Sequence, residues 1–146
     1  GVGLFAATLA ELGGPSTRVV SVEGSERATE LAQENLAGWV GARAVTARVD
    51  AFLRETHVTA GAQERERLQA GTVVLDPPRA GAGREVIDLL AEVAPEQIVY
   101  VACDPVALAR DVKLLAERGY ALTGIRAFDL FPNTHHMECV AAFSRV

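Results

Sequence analysis

Short apolar runs alternate with segments of helical spacing along this chain. RVVSVE at 18–23, TVVLD at 72–76 and QIVYVA at 97–102 read as strands, and ARAVTARVD at 42–50 as a weaker one. Strands with this little polar character are buried on both faces, so the segments between them must be crossover helices. That pattern predicts an α/β fold with a mostly parallel sheet. A helix is predicted over 4–12, ended by Gly13-Gly14. A second runs from a Ser25 cap to about residue 39, with Ala28, Leu31, Ala32 and Leu36 on one face. Val86, Ile87, Leu90 and Val93 mark the apolar face of another helix. Asp104 caps the next, which has Pro105 at its first position and Gly119 beyond its end. The stretch 51–70 is polar, and its QERERLQ reads as a solvated helix. The last two strands, YALTGIRAFDL at 120–130 and HMECVAAFSRV at 136–146, follow one another with only a turn at Pro132-Asn133 between them. They predict an antiparallel hairpin at one edge of the sheet. No repeat or long linker interrupts the pattern, so a single domain over residues 1–146 is expected. The strand that would precede Gly1 in such a fold is missing, and the chain reads as an N-terminally truncated piece.

Composition narrows the function classes. The chain has 146 residues, a net charge of −5 and two cysteines, Cys103 and Cys139. The acidic balance argues against a free-standing nucleic-acid binder, whose affinity rests on cations facing phosphates. It leaves room for an acidic catalytic domain whose RNA is held elsewhere. No apolar run is long enough to span a bilayer, and no signal-peptide pattern stands at the front. The cysteines show neither CxxC nor metal-ligand spacing. Reduced thiols, no metal and a cytoplasmic setting are therefore expected.

Two sets of residues point to chemistry. The first is GVGLFA at 1–6, which fits G-x-G-x-x-G/A, with Glu23 twenty residues after Gly3 at the end of the next strand. Gly1 and Gly3 would let a ligand approach the backbone, and Glu23 would take ribose hydroxyls. Asp50, after the following strand, is a further candidate. The pattern serves a nicotinamide dinucleotide or S-adenosyl-L-methionine equally well.

The second set stands at the carboxyl ends of later strands, where open α/β sheets bind ligands. Asp76 opens DPPRAGAG, in which two prolines stiffen the exit from the strand. Arg79 offers a planar cation there, and Gly81 and Gly83 allow a close loop. Cys103 lies between a strand and a helix N-terminus, a position that favours the thiolate. Cys139 lies inside the last strand and reads as a small buried hydrophobe. Glu138 heads that strand, where a carboxylate can serve as a base. His135 and His136 are adjacent, point different ways in an extended chain, and read as loop residues near substrate rather than a metal pair.

Taken together, VLDPPRAGAG, VYVACDPVALARDVKLL and FDLFPNTHHMECVAAFSR resemble the catalytic domain of the RNA 5-methyluridine methyltransferases. GVGLFA with VVSVEGSERATELAQENL is similar to that family's S-adenosyl-L-methionine site. The resemblance implies a Rossmann-like class I methyltransferase fold and a uridine of tRNA or rRNA as substrate. It implies Cys103 as the nucleophile that adds to carbon 6 of uracil, and Glu138 as the base that removes the carbon 5 proton. Asp76 is implied to help hold cofactor and target base, and Gly1, Gly3 and Glu23 to bind cofactor. Family members also carry an RNA-binding domain upstream, and some an iron–sulfur cluster. Three rivals compete: an amino-group methyltransferase on nucleic acid, a nicotinamide dehydrogenase, and a non-catalytic Rossmann-like binding module.

Overall fold

Helices and strands alternate in a computed structural model that describes residues 1–134 and 136–146. In chain order they are α1 (Leu4–Gly13), β1 (Val19–Glu23), α2 (Glu26–Leu36), β2 (Ala42–Thr46), α3 (Val49–Thr59) and α4 (Ala62–Gln69). There follow β3 (Thr72–Leu75), α5 (Gly83–Val93), β4 (Gln97–Ala102), α6 (Pro105–Glu117), β5 (Tyr120–Phe128) and β6 (Glu138–Arg145). The chain divides into two units, Gly1–Phe52 and Leu53–Val146.

In the first unit β1 and β2 pair in parallel, from Val19 beside Ala42 to Glu23 beside Thr46, with α2 as the crossover. α2 starts where expected. The Ser25 side chain accepts from the Ala28 N–H at 3.4 Å, and the Thr29 hydroxyl donates to the Ser25 carbonyl at 3.0 Å. Its buried residues are Thr29, Ala32 and Leu36, with Ala28 and Leu31 half-buried beside them, so the inward face is the predicted one with Thr29 added, and the helix stops short of Trp39. α1 ends at Gly14, whose φ of 75° and N–H bond to the Ala10 carbonyl make a left-handed stop.

Two expectations for residues 42–70 need correction. The strand there ends at Thr46, and Asp50 lies inside the first turn of α3 rather than at a strand end. Arg48 explains part of this: its Nε and Nη2 donate to Asp50 Oδ1 and Oδ2 at 3.1 and 3.3 Å, which favours a turn over an extended chain. An acid in a first helical turn also suits the helix dipole. The second correction is α3 itself, which occupies part of the stretch read as merely polar. The solvated helix is present as α4, which has no buried residue.

In the second unit the strand order is β3-β4-β6-β5. β3 and β4 are parallel; β6 is antiparallel to both β4 and β5. The C-terminal hairpin is as expected, with β5 on the outside and a shift in register between Leu122 and Gly124. This second sheet is thus mixed. The core lies between this sheet and α5 and α6. Ile87 and Leu90 of α5, Leu115 of α6, Ile98 and Tyr100 of β4, and Ala141 of β6 have no exposed surface. Side chains of this size each stabilise the fold by about 1.5–3 kcal/mol on burial. Asp104 caps α6 as its sequence implies, accepting from the Ala107 N–H at 2.7 Å. The turn between β5 and β6 places Asn133 at φ 70° and bonds the Thr134 N–H to the Phe131 carbonyl. Among the described residues no helix is long and apolar enough to cross a membrane.

Candidate active site

The first unit positions the predicted cofactor residues Gly1, Gly3, Glu23 and Asp50. Gly3 caps α1 with φ 85°, a conformation that side-chain-bearing residues rarely adopt. A Cβ at Gly3 would stand 3.1 Å from the Ala32 Cβ of α2, so the glycine also permits close packing of turn and helix. The Asn35 amide donates to the Val2 carbonyl at 2.9 Å and ties the same turn down. Glu23 ends β1. Its Oε2 accepts from the Gly1 amino group, and its Oε1 accepts from the Ser25 N–H at 2.8 Å. Asp50 is bound instead by Arg48, whose guanidinium lowers the Asp50 carboxyl.

The second unit brings the other candidates to one edge of its sheet. Asp76 is the first residue after β3, and Cys103 the first after β4. Since Leu75 pairs with Tyr100 in parallel, both emerge from the same end of the sheet. β6 enters from that end. Its register pairs Val140 with Val101 and Cys139 with Ala102. Glu138 and Cys103 each stand one residue beyond that ladder, on adjoining segments. Glu138 pairs in turn with Phe128 of β5. Thiol, carboxylate and aromatic ring thus come from three neighbouring strands in one row. Cys103 and Glu138 are half-buried, and Asp76 is exposed.

A shallow, solvent-open depression lies beside Cys103, walled by Pro77, Pro78, Arg79, Asp104 and Ala107. The Gly81 N–H donates to the Pro78 carbonyl at 2.8 Å, closing a turn that presents Arg79. Cys139 behaves as a core residue: burial first, and the Glu138 charge second, raise its thiol. His136 is half-buried, its N–H donates to Thr134 Oγ1, and its ring meets Phe131 edge-on at 6.4 Å. His135 lies outside the described residues. Among the described residues no three His, Cys, Asp or Glu are grouped to hold a metal.

Sequence reasoning missed Asp111. It lies on α6 with no exposed surface, between the buried Leu108 and Leu114. Its Oδ2 accepts from the Tyr100 hydroxyl at 2.6 Å, the Ala82 N–H at 2.8 Å and the Gly83 N–H at 3.3 Å. Its Oδ1 accepts from Arg110 Nε and Nη2 at 2.9 and 2.8 Å. Arg110 Nη2 also donates to the Ala80 carbonyl at 2.7 Å. The signal available in the sequence was an acid on an apolar helical stripe. Burial alone would raise the Asp111 carboxyl. The hydrogen bonds, that from Tyr100 foremost, outweigh burial and lower it. Burial, and then the Asp111 charge, push the Tyr100 hydroxyl upward, so it remains a donor.

A pH dependence follows. A carboxyl lowered in the folded state adds stability above its unfolded value, and that stability is lost as pH falls through the folded one. Tyr100→Phe removes the leading bond to the charge. It is expected to cost about 2 kcal/mol at neutral pH. The difference from wild type should shrink in acid, once Asp111 is protonated in both states. Urea unfolding at a series of pH values checks this; a difference that persists unchanged in acid would show that the charge plays no part.

A profile of the tRNA (Uracil-5-)-methyltransferase family matches residues 3–146. An uncharacterized RNA methyltransferase of Streptomyces avermitilis is 45% identical over 141 residues, covering 97% of this chain and 30% of the relative. The crystal structure of the Pyrococcus abyssi tRNA (uracil-54, C5)-methyltransferase, in complex with S-adenosyl-L-homocysteine, is 35% identical. It superposes with a TM-score of 0.74 over 98% of this chain and 32% of that one. Fibrillarin from Aeropyrum pernix, crystallised with S-adenosyl-L-methionine, has a TM-score of 0.71 at 14% identity, a likeness of fold alone; it spans 95% of this chain and 62% of that one. The chain thus spans about a third of the length of the first two proteins.

Proposed function

The chain belongs to the tRNA (uracil-5-)-methyltransferase family, and from that premise we propose that residues 1–146 act as one catalytic domain, methylating carbon 5 of a uridine in tRNA or rRNA. The observation that carries the reading is the row at the sheet edge. The ladder runs to Cys139 beside Ala102, so Glu138 and Cys103 each stand one residue beyond it on adjoining segments, and Asp76 leaves the next strand at the same end.

Carbon 5 of uracil is a weak nucleophile, and this row offers a way around that. The Cys103 thiolate adds to carbon 6, and the ring electrons move onto carbon 5 and the carbon 4 carbonyl. Carbon 5 then takes the methyl group that a bound S-adenosyl-L-methionine would supply, the methyl–sulfur bond of the sulfonium breaking with its electron pair left on that sulfur, while the bond from the Cys103 sulfur to carbon 6 stays in place. Glu138 removes the carbon 5 proton, the double bond returns, and Cys103 leaves as thiolate. This is nucleophilic catalysis followed by general-base elimination. The base must be out of its stack to meet a thiol at a strand end. In this reading Asp76 and Arg79, which follow β3, hydrogen-bond the carbonyl and imide edges of the base.

The residues of the first unit fit S-adenosyl-L-methionine. Gly3 keeps the turn free of a Cβ, and Glu23 presents a carboxylate suited to a ribose diol at the end of β1. When bound, the cofactor supplies an electrophilic methyl on a sulfonium centre. The relatives are about three times as long as this chain, and we assign the main grip on RNA to the remainder. That division agrees with the net charge of −5 here.

The reaction class is tested by mixing the intact protein with S-adenosyl-L-methionine and RNA carrying tritium at uracil carbon 5. One tritium released to water per methyl transferred is the expected result. Methyl groups in RNA with no tritium release would mean attack by nitrogen or oxygen, and would refute the proposal.

A further inference from the structure

The buried carboxylate on α6 has a consequence for the depression two turns away. Three segments converge on Asp111: the loop after β3 through the Ala82 and Gly83 N–H groups, β4 through the Tyr100 hydroxyl, and α6 itself. The same three segments line the depression beside Cys103. Arg110 closes the arrangement, bonding at once to Asp111 Oδ1 and to the Ala80 carbonyl. The loop is shaped to receive the clamp. Gly81 has φ 81°, and a Cβ there would lie 2.5 Å from Arg110 Nη2 and 2.6 Å from Asp111 Oδ2. Stability alone does not call for this device, since a well-packed apolar side chain between Leu108 and Leu114 would serve the core at least as well as a buried carboxylate answered by a half-exposed arginine. A charge with both oxygens engaged specifies one geometry.

We infer that Asp111 is a positioning residue: with Arg110 and Tyr100 it locks residues 80–83 onto α6, and so fixes the Pro77–Arg79 wall relative to Cys103. The inference rests on the function proposed above. Asp111 touches no reacting atom; it acts through the loop. A wall displaced by an ångström misplaces the target ring against the thiol, which costs catalysis far more than it costs folding.

Asp111→Asn keeps the shape and one acceptor oxygen but loses the charge that Arg110 answers. Gly81→Ala attacks the clamp from the loop and leaves both buried groups intact, so a conclusion survives if the first variant folds poorly. Both are to be made in the intact protein and compared with wild type. Hydrogen exchange at the Ala82 and Gly83 amides reads the clamp. Turnover, and affinity for S-adenosyl-L-methionine by calorimetry, read its effect. Faster exchange at both amides, with kcat roughly tenfold to a hundredfold lower and cofactor affinity unchanged, is expected. Unchanged exchange would overturn the clamp. Faster exchange with undiminished kcat would overturn the positioning role and leave a structural one. An inactive wild type would sink the functional reading, and the role with it, whereas an active wild type with equally active variants sinks the role alone.

Discussion

Cys103→Ala is expected to abolish methyl transfer, with a loss of at least roughly 10⁴-fold, because the route through an adduct at carbon 6 then has no nucleophile. The change removes one sulfur atom from a half-buried site between β4 and α6. It leaves the Asp104 cap and the core beneath untouched, so the unfolding midpoint should move by less than about 1 kcal/mol in stability. Binding of S-adenosyl-L-methionine should also survive, since Gly3 and Glu23 are unchanged. Serine offers no rescue, because its hydroxyl is scarcely ionised at neutral pH and attacks carbon 6 poorly. Rate, stability and cofactor affinity together separate a catalytic thiol from a packing one. The same exchange at Cys139, which is buried, should do the reverse: lower stability and spare the chemistry.

Glu138→Gln is the second large effect, and it takes a different form. Glutamine matches the carboxylate in shape and stays beside Phe128 in the ladder, but it cannot accept the carbon 5 proton. Addition of Cys103 and transfer of the methyl do not need that base; elimination does. Turnover should fall by about 10²–10⁴-fold, the usual share of a positioned base. One methyl group per protein should transfer rapidly before the reaction stalls. A denaturing gel should then show RNA joined covalently to the variant. Steady turnover by Glu138→Gln at the wild-type rate would remove Glu138 from the mechanism and shift attention to Asp76.

Much of this was legible in the sequence for local reasons. QIVYVA, Asp104, Pro105 and Gly119 carry strand, cap, first turn and stop in their own chemistry, and the structure places β4 and α6 where those residues imply. Other features depend on contacts that the apolar pattern does not show. Asp50 reads as a strand-end acid until Arg48, just before α3, bonds to it. Thr29 joins Ala32 and Leu36 among the buried residues of α2 with its hydroxyl bonded to the Ser25 carbonyl, which an apolar pattern does not reveal. The pairing that brings Glu138 to the same end of the sheet as Cys103 depends on β6 entering between β4 and β5, which no local pattern specifies. Asp111 is the clearest case. Its partners come from residues 80–83 and from β4, so the sequence shows an acid on an apolar stripe but not what answers it.

The central claim is a covalent bond between Cys103 and carbon 6 of uracil. It is tested most directly by mixing the intact protein with S-adenosyl-L-methionine and RNA in which 5-fluorouridine replaces uridine. Fluorine cannot leave as a proton, so elimination is blocked after methyl transfer. A stable protein–RNA adduct carrying one methyl group, joined through Cys103 and absent from Cys103→Ala, is the expected result. If no adduct forms while ordinary RNA is methylated at carbon 5, the thiol is not the nucleophile and the mechanism is wrong.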